Sequence, residues 1–89
     1  MTHIQNTLLM QSLLDKRLAE LRTLPHNSDL WRYYNNLRDM LTEASRLEVY
    51  ARRTPPRSRY NVEYKKKLKE LETGINYLDQ LILIQRLMG

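Results

Sequence analysis

The sequence predicts an all-α fold, either a three-helix bundle or an extended helical hairpin with a long C-terminal helix. Three observations carry that expectation. Leucine is the commonest apolar residue, phenylalanine is absent, and only two glycines and three prolines occur, a composition that favours helices over strands. The prolines stand in two places, Pro25 and Pro55-Pro56, and leave three stretches each long enough for a helix. Within each stretch apolar residues recur every three or four positions, the period of a helix that buries one face.

The first helix is expected over about residues 3–23, closed by Leu24-Pro25 because the residue before a proline is pushed out of the α region. Ile4, Leu8, Leu14, Leu18 and Leu21 form its stripe, and Leu9, Met10 and Leu13 broaden the stripe at the front. Pro25-His26-Asn27-Ser28 supplies a turn, with Asn27 or Ser28 as helix cap and Asp29 placing a negative charge at the positive end of the next helix dipole.

The second helix is expected over 28–53. Leu30, Tyr34, Leu37, Leu41, Ala44, Leu47 and Ala51 mark its core side, with Tyr33 and Met40 flanking it. At about 100° per residue Trp31 projects away from Leu30, toward the side that carries Arg38 and Val49. Trp31 is read either as a cap on the edge of the bundle or as a partner anchor, since tryptophan is enriched where binding energy concentrates.

The connection 54–60 is basic and carries Pro55-Pro56, which marks it as a mobile loop. Asn61 is expected to cap a third helix over 61–88. Tyr64, Leu68, Leu71, Ile75, Leu78 and Ile82 follow one another at alternating spacings of four and three, the seam of a helix packed on other helices. A second row, Tyr77, Leu81, Ile84 and Met88, keeps that spacing on a neighbouring line, so the last three turns are apolar around most of their circumference. A single folded face does not use all of it. Gly74 interrupts this helix at a cost of about 1 kcal/mol relative to alanine, which either a close approach by a neighbour or an exposed position would explain.

At 89 residues the chain is expected to be a single helical domain, and one of that size buries only about 60–65% of its unfolded surface. Its margin of stability is thin, and self-association or a partner would add to it. The absence of cysteine removes disulfides and thiolate metal sites and fits an intracellular, reducing compartment. The longest apolar run, Leu81 to Ile84, falls far short of the roughly 20 residues that cross a bilayer. The first ten residues carry no charged n-region or cleavage site, so a soluble protein without a transmembrane segment is expected.

Charge is unevenly placed. Arg52, Arg53, Arg57, Arg59, Lys65, Lys66, Lys67 and Lys69 stand together against one acid, Glu63, while the remaining seven basic and nine acidic residues leave the rest slightly acidic. Lys65 to Lys67 fall early in the third helix, where cations oppose the helix dipole, and Lys65 repels Lys69 one turn on. An acidic surface or a polyanion would relieve that conflict, with the arginines gripping carboxylates or phosphates and Tyr60 and Tyr64 interleaved among the charges.

No catalytic constellation, cofactor motif or metal-ligand spacing is present. The two histidines are far apart, no cysteine exists, and Gly74 and Gly89 cannot make a phosphate loop. The expectation is a non-enzymatic protein-interaction module without cofactors, an adaptor, assembly factor, inhibitor or chaperone-like subunit that meets a protein partner or forms homo-oligomers. Its apolar docking residues would be Tyr77, Leu81, Ile84, Leu87, Met88 and Trp31, with the basic cluster meeting an anionic patch. The alternative is a nucleic-acid-binding regulator that uses the 52–69 cluster on phosphates, although no helix-turn-helix, zinc-finger, RRM or KH signature accompanies it.

Overall fold

The computed structural model describes residues 6–88, and among them every regular element is a helix: α1 (Asn6–Thr23), α2 (Ser28–Arg52) and α3 (Arg59–Met88). The expected start of the first helix near His3, and Ile4 on its stripe, lie outside the described residues. Cross-links at the two ends fix an up-down-up order. The start of α1 meets the end of α2 through Thr7 and Glu48, whereas the end of α3 meets the α1–α2 connection through Gln85 with Asn27 and the end of α1 through Arg86 with Glu20. The result is a rod of 49 × 20 × 16 Å in which α2 and α3 form the principal pair and α1 lies along one of the two grooves between them.

The core follows the α3 seam. Tyr64, Leu68, Leu71, Ile75, Leu78 and Ile82 are all buried and meet Leu30, Tyr34, Leu37, Leu41, Ala44 and Ala51 of α2. Two departures from the expected stripes share one cause. Leu47 is only partly buried and Glu48 takes an inward position, while in α1 the buried row is Thr7, Met10, Leu14 and Leu21, leaving Leu8 63% exposed. The Thr7 hydroxyl donates to Glu48 Oε1 at 3.0 Å, and this paired polar contact holds the inward place at the start of α1 that the stripe assigned to Leu8, while Leu14, Leu18 and Leu21 keep their expected side.

Local chemistry sets the helix boundaries. Asn27 caps α2, its side-chain oxygen accepting from the amides of Asp29 and Leu30. Asn61 does not cap α3. Ser58 does, its hydroxyl accepting from the Asn61 amide and its carbonyl from Val62, so α3 begins two residues earlier than expected. Asn61, inside the first turn, instead turns its amide nitrogen back onto the connection, donating to the carbonyls of Ala51 (3.0 Å) and Pro55 (2.9 Å). With Thr54 and Ser58 hydroxyls 2.7 Å apart, the segment expected to be a mobile loop is a hydrogen-bonded turn.

Gly74 is buried, and a neighbour explains it. A Cβ placed there would stand 2.5 Å from Leu37 Cδ2 and 3.4 Å from the Tyr33 hydroxyl, so glycine lets α2 press a leucine side chain against the α3 backbone.

Candidate functional site

The basic residues gather at the end of the rod formed by the α2 C-terminus and the α3 N-terminus. Because α3 begins at Arg59, its first turn holds Arg59 and no acid. Arg59 is therefore the cation that opposes the helix dipole, and Lys65 to Lys67 lie beyond the first turn, where the dipole effect has largely faded. Lys67 is engaged within the fold: its ammonium lies 3.1 Å from Glu43 and 3.8 Å from Glu70. The hydrogen bond to Glu43 and the charges of Glu43, Glu70 and Glu63 raise its pKa against the opposing effect of burial. Arg52 lies 3.5 Å from Glu48. Arg53, Arg57, Arg59, Lys65, Lys66 and Lys69 are exposed or nearly so.

Beneath this charged end lies a polar knot. Glu48 Oε1 accepts from Thr7 and Oε2 from the Tyr64 hydroxyl at 2.9 Å, so one carboxylate ties α1, α2 and α3 together. Burial, the bond to Glu48 and the Glu48 charge hold the Tyr64 phenol well above its ordinary pKa of about 10. Tyr64 is thus part of the core and its ring is not offered to bases. The exposed aromatic pair is Tyr50 and Tyr60, stacked with ring centroids 5.2 Å apart and planes 26° apart. The sequence reading missed Tyr50; its signal was an aromatic at the end of α2 that lay off the core stripe. A cavity of about 200 Å³ sits beside the knot, lined by Glu48 and Tyr64 together with Arg52, Pro56 and Lys65 among others.

The other end of the rod is apolar. Ile82 closes the core, and beyond it Leu83, Ile84, Leu87 and Met88 stand 57%, 50%, 78% and 81% exposed. Tyr77 is also half exposed, its ring edge-on to Tyr33 of α2 at 5.5 Å, and Leu81 packs partly against the core. Leu81 and Ile84 form one wall of a shallow groove whose other wall is Leu30 and Tyr33. This groove lies between α2 and α3 on the side opposite α1. Burial, and then the nearby Tyr77 phenol, raise the Tyr33 pKa above its ordinary value. Trp31 is partly buried against the core, edge-on to Tyr34 at 6.1 Å, and stands apart from the α3 row.

The two charged residues in the final stretch of α3 are held on the α1 side: Asp79 lies 3.5 Å from Arg17 and Arg86 3.5 Å from Glu20. The outward face from Tyr77 to Met88 is therefore apolar with Gln80 as its polar member. Among the described residues, no group of three His, Cys, Asp or Glu side chains comes together as a metal site, and no helix is long and apolar enough to cross a membrane.

Comparison with known proteins gives no match to a family model, to a curated protein or to a solved structure.

Proposed function

We propose that this protein is a non-enzymatic interaction module that docks onto protein through the exposed end of α3. The observation that carries the reading is the patch made by Leu83, Ile84, Leu87 and Met88. Single exposed leucines are ordinary, but four adjacent large apolar residues on two turns, with the neighbouring charges drawn off to α1, make a contiguous surface whose burial would be strongly favourable. The basic end is a second, separate contact, suited to an acidic surface.

A second reading, a regulator that binds nucleic acid, draws on one specific feature. The stacked and exposed Tyr50 and Tyr60 are interleaved in sequence with the exposed Arg53, Arg57 and Arg59, which joins an aromatic platform to cations suited to phosphates.

Affinity capture with and without nuclease separates the two. The docking reading expects a stoichiometric protein that survives nuclease and is lost when Leu83 and Leu87 are both changed to glutamate. Capture indifferent to those changes but abolished by nuclease, or by high salt, would overturn it in favour of the second reading.

A further inference from the structure

Resting on the docking reading, the inference here concerns what covers the α3 patch. We propose that it is a second copy of this chain, paired about a two-fold axis with the C-terminal halves of the two α3 helices side by side and antiparallel.

Charge supports a self-pairing at this place and no other. A two-fold axis brings a patch against its own image, so any charge the patch carries is brought near a like charge. From Tyr77 to Met88 the charged residues are Asp79 and Arg86, both turned to α1 in ion pairs, so the outward face meets its image without repulsion. The other exposed large apolar residues lie at the basic end of the rod: Tyr50, Tyr60 and Val62 are interleaved with Arg53, Arg57 and Arg59, which would repel a second copy, and Leu8, Leu9 and Val49 stand where the start of α1 meets the end of α2, with Leu9 beside Lys69 and Glu72.

Area and shape agree with this choice. At the exposures found, Leu83, Ile84, Leu87, Met88 and Tyr77 present on the order of 600 Å² of accessible surface, at the upper limit for the largest apolar patch of a monomer. That is somewhat below the roughly 800 Å² per partner of a standard stable interface, the range of a reversible pairing that depends on concentration. Each chain carries a net charge of +5, concentrated at the opposite end of a rod 49 Å long. Overlapping the two tails sends the basic ends to opposite poles, about 80 Å apart, the arrangement that separates the charges most. The assembly would then offer two identical cationic poles joined by a neutral, apolar waist.

Sedimentation equilibrium of the purified full chain at tens of micromolar tests this directly. The expected mass is twice the 10.8 kDa of the chain, falling to the single-chain mass for Leu87→Glu with helix content unchanged, because Leu87 supports nothing inside the bundle. The chain has no cysteine, so position-specific oxidation is clean: Ile84→Cys is expected to form a disulfide-linked pair under mild oxidation and Tyr50→Cys to remain single. A single-chain mass for the unaltered protein overturns the proposal, and a heterologous protein cross-linked at Leu87 in that case leaves the docking reading standing without it. A dimer indifferent to Leu87→Glu, or one in which Ile84→Cys links no better than Tyr50→Cys, also overturns it by placing the interface elsewhere.

Discussion

Replacing Tyr64 by phenylalanine takes one donor from a carboxylate that three helices share. Glu48 is 9% exposed, and its oxygens are met by Thr7 at 3.0 Å, Tyr64 at 2.9 Å and, more distantly, Arg52 at 3.5 Å. A hydrogen bond to a charged group contributes about 1.5–3 kcal/mol, so Tyr64→Phe is expected to destabilise the fold by about 2 kcal/mol, or roughly 8–16 °C in a domain this small. Glu48→Leu is expected to cost about as much or more, because the Thr7 and Tyr64 hydroxyls then both lose the carboxylate to which they donate. The triple variant Thr7→Val, Glu48→Leu, Tyr64→Phe removes the carboxylate and both hydroxyls together and leaves Arg52, half exposed, to solvent. It replaces the knot with apolar side chains of similar volume and is expected to fall within about 1 kcal/mol of the unaltered protein. Urea unfolding followed by circular dichroism measures all three. If the triple variant loses the sum of the separate losses, the three groups contribute independently and the account of a shared, all-or-none network is wrong.

Three further outcomes follow from other contacts. Gly74→Ala gains about 1 kcal/mol of helix propensity but drives a Cβ to 2.5 Å from Leu37, itself buried, and overpacking costs about 1–3 kcal/mol. A net loss of about 1 kcal/mol in thermal unfolding is expected, recovered when Leu37 is shortened to valine, and a rise in Tm would refute the close approach. Arg59→Glu puts an acid in the first turn of α3, where none exists, and should stabilise the isolated protein by about 0.3–1 kcal/mol while weakening any anionic partner at that end; unchanged stability would show that the dipole conflict is negligible. Because the folded Tyr64 phenol holds its proton above the ordinary pKa, the folded state binds more protons than the unfolded one once pH exceeds about 10. Its stabilising contribution is complete below that pH and is lost as pH rises further, so Tm should fall more steeply above pH 10 in the unaltered protein than in Tyr64→Phe, and parallel slopes would contradict the assignment.

How much of this was legible in the sequence depends on how strictly each helix repeats. The α3 seam has no polar interruption, and all six of its residues are buried as their spacing requires. The stripe of α2 could be read except at Glu48, which continues the spacing of Leu41 and Ala44 but is charged; the buried Tyr64 hydroxyl, which needs an acceptor, was the available clue. In α1 the stripe holds at Leu14, Leu18 and Leu21 and fails at Leu8, where apolar residues crowd adjacent lines and the inward place is taken by Thr7, whose tertiary bond to Glu48 no local pattern encodes. The cap of α3 was misplaced because Ser58 and Asn61 are both competent, and only the folded connection shows Asn61 occupied with the carbonyls of Ala51 and Pro55. Of the candidate surfaces, the excess on Ile84, Leu87 and Met88 could be counted from the sequence, since these residues lie off the line that the α3 seam uses. The pairing of Tyr50 with Tyr60, and of Lys67 with Glu43, joins different helices and could not.

The central claim is that the outward face of the α3 tail is covered by protein when the molecule works. A photoreactive amino acid placed at Leu87, in the cells that express the chain, measures this most directly, with Lys16, exposed on α1, as the reference position. Irradiation is expected to give a discrete protein adduct from position 87 and none from position 16. Equal, diffuse or absent labelling at the two positions would contradict the account.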